Sequence, residues 1–128
     1  MIKENKVSLW VGNVSSESTL EEYTVQKFTD DGDYIPSIFS DLFNLGEYDD
    51  DFKEICYFNE SLSDIEQLLE GCSYDDIVIP KFKQLFGEQV ECKINSVILL
   101  YNFEFDGLQK KYTNQHNEFI FIGAVDYR

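Results

Sequence analysis

The sequence predicts an α+β fold, with helices in the first two-thirds packed on a largely antiparallel β-sheet. Three observations carry that expectation. Val7-Ser8-Leu9-Trp10-Val11-Gly12-Asn13-Val14 is β-branched and alternates with the period of a strand. Capped apolar stripes at helical spacing recur between residues 18 and 86. Ile94 to Phe105 is apolar on both faces in its middle, as a central strand is, and Phe119 to Val125 returns as another buried strand. Between them Asp106-Gly107 is a hairpin signal, so the C-terminal third reads as an antiparallel meander. At 128 residues the chain fits one domain, 1–128.

In the first strand Val7, Leu9 and Val11 share one face and Trp10 takes the other, as a core residue. Gly12 inside a strand marks a bulge or a close backbone approach. Ser18-Thr19-Leu20-Glu21 has the form of a capping box, opening a helix with Leu20, Tyr23, Thr24 and Phe28 on its stripe. That helix is expected to end in the acidic turn Thr29 to Asp33. Pro36 suits the first turn of a second helix, with Ile38, Phe39, Leu42 and Phe43 inward and Gly46 closing it.

Ile55 to Phe58 reads as a strand, and Ser61 to Glu66 as the capped start of a helix that buries Leu62, Ile65, Leu68 and Leu69 before Gly71. Tyr74-Asp75-Asp76 reads as loop. Pro80 then opens a short helix with Phe82, Leu85 and Phe86 buried. Leu108 to Tyr112 is a polar strand whose lysines suit a sheet edge.

The densest charge is Gly46-Glu47-Tyr48-Asp49-Asp50-Asp51-Phe52-Lys53-Glu54. It follows a helix end, where negative charge opposes the macrodipole. The formal net charge is -15. Residues 15 to 76 hold 18 of the acids against Lys27 and Lys53 alone, so this segment carries the whole imbalance. A one-sided field of this sign repels nucleic acid and anionic membranes, and attracts and steers basic proteins. Tyr48 is then a candidate anchor, with Phe52 expected to turn inward. Glu47, Asp49, Asp50 and Asp51, helped by Asp30, Asp31 and Asp33, are the candidate partner-binding charges. Among them Asp51, with Phe52, is expected to brace the loop, leaving Glu47, Asp49 and Asp50 as the contacts.

Catalytic chemistry finds little support. His116 is the one histidine, in a polar turn, and no GxGxxG, P-loop or HExxH occurs. The Asp30 to Asp33 loop lacks the remaining ligands and the closing glutamate of a calcium loop. No metal or other cofactor is expected, and no enzyme. Cys56, Cys72 and Cys92 are read as reduced and mostly buried. With no apolar signal segment and no membrane-spanning run, a soluble cytoplasmic protein is expected.

Taken together, these residues resemble the Immunity protein 22 family of bacterial polymorphic-toxin systems. The resemblance covers nearly the whole chain. It runs through Trp10-Val11-Gly12-Asn13, Glu22-Tyr23, Phe39-Ser40-Asp41-Leu42, Tyr48 to Glu54, Val97 to Phe103, and Phe121-Ile122-Gly123. Between residues 29 and 36 this sequence is longer and more acidic than the family pattern. The resemblance implies a cytosolic protein that binds and neutralises a cognate toxin, and it assigns no catalytic residues. A nuclease toxin is basic because it must hold phosphates, so an acidic face could occlude it stoichiometrically. The alternative is a regulatory or adaptor module that binds a basic protein without any toxin.

Overall fold

The computed structural model describes residues 2–128. In chain order its elements are β1 (Ile2–Asn13), α1 (Glu17–Thr24), β2 (Lys27–Phe28), β3 (Tyr34–Ile35), α2 (Ile38–Phe43), a 3-10 turn (Asp50–Phe52) and β4 (Lys53–Asp64). There follow α3 (Ile65–Leu69), α4 (Asp75–Leu85), β5 (Gln89–Phe103), β6 (Lys111–Thr113) and β7 (Glu118–Asp126). Five strands form one antiparallel sheet in the order β4-β5-β1-β7-β6, and β2 with β3 forms a separate small hairpin. The α+β class expected from the sequence is therefore the class observed.

Alternation along the central strands splits the apolar residues between two cores. Val7, Leu9 and Val11 of β1 and Val97 and Leu99 of β5 pack with Ile65 and Leu69 of α3 and Phe82 of α4. Trp10, Ile98 and Leu100 point the other way, toward Leu20 of α1 and Phe39 and Phe43 of α2. Helices thus cover both faces of the sheet. Trp10 is fully buried among Phe39, Phe43, Phe105 and Phe121, with ring centroids 5.0 to 5.9 Å away, so its assignment to the core holds. Its indole N–H finds no hydrogen-bond acceptor inside that ring of aromatics.

The strand order departs from a C-terminal meander. β1 sits between β5 and β7, so β5 and β6 are not neighbours, and of the three C-terminal strands β6 and β7 pair directly. The reason lies in Phe105, which is buried beside Trp10, Phe43 and Phe121. That burial draws the chain off the sheet after Phe103, and Asp106-Gly107 falls in the crossing loop and not in a tight hairpin. Gly12 meets the close approach expected of it. A Cβ there would lie 2.5 Å from the Glu118 carbonyl oxygen and 2.7 Å from Phe119.

Several helix limits move as well. Ser16, not Ser18, caps α1, its Oγ accepting from the Thr19 N–H at 3.1 Å. The helix stops at Thr24, where the next residue, β-branched Val25, is already extended. Phe28 leaves the helical stripe for the β2–β3 hairpin and is 60% exposed. Asn44, in the left-handed region at φ 55°, closes α2 before Gly46 is reached. Ile38 is exposed. Residues 61–64 continue β4, and Asp64 caps α3 by accepting from the Glu66 N–H at 2.9 Å.

Asp75 and Asp76 open α4, placing two carboxylates at its positive end, so Pro80 lies inside that helix and does not start it. Only Phe82 of its expected stripe is buried, while Leu85 and Phe86 are exposed. The cysteines are free, but none is fully buried, and Cys56 is exposed on β4.

Candidate functional site

The site is built where the acidic run meets the β2–β3 hairpin. Gln26, just before the hairpin, holds the two together. Its amide nitrogen donates to the Tyr48 carbonyl (3.0 Å) and to Asp50 Oδ1 (2.8 Å), and its amide oxygen accepts from the Tyr34 hydroxyl (2.5 Å). Nothing in the sequence marks Gln26 for this role, because a lone glutamine carries no local pattern. Phe28, expected on a helical stripe, and Tyr34, given no part by the sequence, both belong to the hairpin beside it.

Behind the loop, Tyr48 is 4% exposed. Its hydroxyl lies 3.1 Å from Ser37 Oγ and donates to the Thr24 carbonyl at 3.2 Å. Burial pushes its pKa up to about 12. Tyr48, a candidate anchor by sequence, is therefore placed as a pillar joining α1, α2 and the loop. Phe52 is instead 43% exposed. The inversion follows from the 3-10 turn at Asp50–Phe52, which offsets Phe52 from the face that Tyr48 occupies.

The carboxylates divide in an equally unexpected way. Asp49 caps the 3-10 turn, accepting from the Asp51 N–H at 2.9 Å. Asp50 accepts from Gln26 and pairs with Lys53 at 3.2 Å. Lys53, in turn, is largely covered and donates to the Thr24 carbonyl at 3.0 Å. Asp49 and Asp50 thus brace the loop, the part expected of Asp51. Glu47 and Asp51 lie exposed beside them.

Asp30, Asp31 and Asp33 stand exposed at the hairpin tip, which Thr29 closes. Its backbone N–H donates to the Asp33 carbonyl (2.8 Å), and its hydroxyl accepts from the Asp33 N–H (3.0 Å). The strands of the hairpin meet the acidic loop across a cleft of about 520 Å³, lined by Phe28, Tyr34 and Glu47 to Asp50. A second cleft, of about 350 Å³, adjoins it at Ile2, Tyr48 and Asp49 and extends to Phe52. Ile2, Phe28 and Phe52 give these clefts exposed apolar surface among the acids.

Acidic residues are not confined to this side. Glu66, Glu70, Asp75 and Asp76 belong to the α3–α4 layer, on the other face of the sheet. The two sides meet at Glu54, whose carboxylate accepts from the Ser73 N–H (3.1 Å) and from the Ser73 hydroxyl. Lys83 neutralises Glu66 at 2.6 Å, so the α3–α4 side is partly compensated, whereas the loop has only the inward Lys53.

For nucleophilic chemistry the arrangement offers little. Burial pushes the Cys72 thiol up to about 11 and raises the Cys56 and Cys92 thiols as well, so all three are held in the protonated, poorly nucleophilic form. His116 is exposed in the turn before β7. Among the described residues no three His, Cys, Asp or Glu side chains are gathered as metal ligands would be. No helix among them is long and apolar enough to cross a membrane.

The sequence model described as Immunity protein 22 matches residues 7–128. No curated protein and no solved structure matches the chain.

Proposed function

The chain belongs to the Immunity protein 22 family, and from that premise we propose that it neutralises a basic toxin domain by covering it with the acidic loop and hairpin. Membership of the family implies neutralisation of a toxin by binding. The observation that favours this particular surface is the Gln26 clasp, which holds two acidic segments side by side around exposed Phe28 and Phe52.

An interface needs apolar anchors for affinity and complementary charge for fast, selective encounter. The clefts between Phe28, Ile2 and Phe52 offer the first, and Glu47, Asp51 and the hairpin tip offer the second. A toxin that acts on nucleic acid carries cations to hold phosphate, and occupation of those cations by carboxylates would exclude the substrate. Inhibition is then stoichiometric, and the immunity protein needs no catalytic group of its own.

The test is co-expression with the toxin domain encoded beside it, followed by association kinetics at increasing ionic strength. The expected result is protection of the cell and a 1:1 complex. Its association rate should fall steeply with salt while dissociation changes little. A complex whose association ignores salt would remove the acidic surface from the mechanism.

A further inference from the structure

The five-stranded sheet has two outer edges, β6 and β4, and they are finished differently. β6 is three residues long and opens on Lys111, and shortness and lysine both blunt an edge against further pairing. β4 runs for 12 residues, with no proline and no lysine after Lys53. We propose that the outer edge of β4 between Lys53 and Tyr57 accepts a β-strand from the basic toxin domain, so that the sheet continues across the complex. The proposal rests on the toxin-binding reading for the owner of that strand.

Residues 53 to 57 pair with β5 in unbroken register, from Lys53 opposite Leu100 to Tyr57 opposite Ser96. In an antiparallel pair only alternate residues of a strand bond to a given neighbour, so every second N–H and C=O here points outward. Among the described residues, no backbone segment bonds to that outward row between Glu54 and Tyr57. The run of five residues spans about 17 Å, enough for a short incoming strand. Beyond Tyr57 the register jumps, with Leu62 next opposite Ile94, so residues 58–61 bulge and end the usable edge.

A cleft of about 460 Å³ runs beside this edge, between residues 53 to 56 and the end of α3 at Leu68, Glu70 and Gly71. Cys56, Glu70 and Gly71 are exposed at its mouth, so solvent reaches the strand from that side. Its floor of Leu68, Val97 and Leu99 is already buried, and an added strand would meet the edge and the rim.

Charge decides the occupant. Glu54 lies on the open run, Glu60 on the exposed bulge and Glu70 on the facing rim. Among the described residues none of the three is paired with a lysine or arginine. A second copy of the chain would set these acids against their own images, with a net charge of -15 on each chain. Opposite charges across a strand pair stabilise it and like charges destabilise it, so a strand with lysine or arginine at alternate positions fits. β4 begins at the residue after the 3-10 turn, so a partner covering Asp51 and Phe52 reaches the edge without a gap. In this mode main-chain bonds supply affinity and alternate side chains supply selectivity.

The test is amide hydrogen exchange, followed residue by residue by NMR, on the free chain at two concentrations and on its complex with the toxin domain encoded beside it. In the free chain alternate amides of Glu54 to Tyr57 should exchange quickly, and in the complex they should slow about tenfold or more. Unslowed exchange in a complex that still forms overturns the edge proposal and leaves the toxin-binding reading intact. Slowing that grows with concentration of the free chain gives the edge to a second copy, and also overturns it. Failure to bind the toxin at all overturns both. Proline at the amide that slows, Ile55→Pro or Cys56→Pro, removes one outward donor and should weaken binding about tenfold. Alanine at the same position keeps the donor and should bind as the wild type does. Equal affinity of the two variants overturns the shared sheet, and where the proline variant does not fold the exchange map decides.

Discussion

Tyr48 and Phe52 stand four residues apart in one acidic run and face opposite ways, Tyr48 inward at 4% exposure and Phe52 outward at 43%. The two aromatics therefore divide the labour of the loop. One fixes it to α1 and α2, and the other is presented to whatever approaches.

Substitution should separate these roles. Tyr48→Ala removes a buried ring and is expected to cost about 3–5 kcal/mol, read by urea denaturation. Phe52→Ala should change stability by less than about 1 kcal/mol, yet speed dissociation of the toxin complex roughly tenfold. A large stability loss in Phe52→Ala would return that ring to the core.

The Gln26 clasp makes a distinct prediction. Gln26→Ala leaves the Tyr48 carbonyl, Asp50 and the Tyr34 hydroxyl without their shared partner. Because the site is partly open to water, the global cost should be modest, about 1–2 kcal/mol. Local opening should be more evident, as faster amide hydrogen exchange between residues 47 and 52. Unaltered exchange there would show that the loop is held by Tyr48 alone.

Charge in the loop can be divided in the same manner. Neutralising the exposed pair, Glu47→Gln with Asp51→Asn, should slow association with the toxin several-fold while leaving the melting temperature unchanged or slightly raised. Truncating the bracing pair, Asp49→Ala with Asp50→Ala, removes a turn cap and the partner of Lys53, and should cost about 1–2 kcal/mol. Stopped-flow association and thermal melts distinguish the two pairs.

Alkaline titration probes Tyr48 directly. Its folded pKa, about 12, is raised above the ordinary tyrosine value of 10.0 by burial. The unfolded chain therefore loses this proton first, and stability present below pH 10 declines as pH rises toward 12. The decline attributable to this group is about 2–3 kcal/mol. In Tyr48→Phe that part should vanish, while Tyr101, also raised, keeps a remainder. An identical alkaline profile in wild type and Tyr48→Phe would show that the Tyr48 hydroxyl is not buried in the folded chain.

Periodicity made the sheet legible in the sequence. Strict alternation in Val7 to Val14 placed Trp10 on the face opposite Val11, and the unbroken apolar stretch of Val97 to Leu100 marked a strand covered on both sides. What periodicity could not convey was sheet order, since only three-dimensional packing of Phe105 decides whether the chain turns back at once or crosses β1. The α1 terminus was misread because Phe28 falls at helical spacing by coincidence, while Val25 and the Lys27–Ile35 pairing end the helix first.

At the site, the run Glu47 to Asp51 was visible as composition, but the function of each carboxylate was not. A one-residue step decides which aspartate caps the 3-10 turn and which pairs with Lys53, while all three stay exposed. Gln26 was illegible for another reason. Its amide nitrogen finds partners 22 and 24 residues away, and no local pattern encodes those.

The position of β1 in the middle of the sheet bears on how the protein acquires its shape. Leu9 pairs with Leu99 on one side and Gly123 on the other, so its strand cannot be satisfied until segments some ninety and more residues later have been made. Closing loops of that length before the contacts reward it makes for slow folding. During synthesis the apolar Val7 to Val11 segment must wait unpaired, exposed to wrong partners, while the acidic span between β1 and β5 emerges. The negative charge of that span then has a second use, since like-charged nascent chains repel one another during the interval in which their central strand is bare.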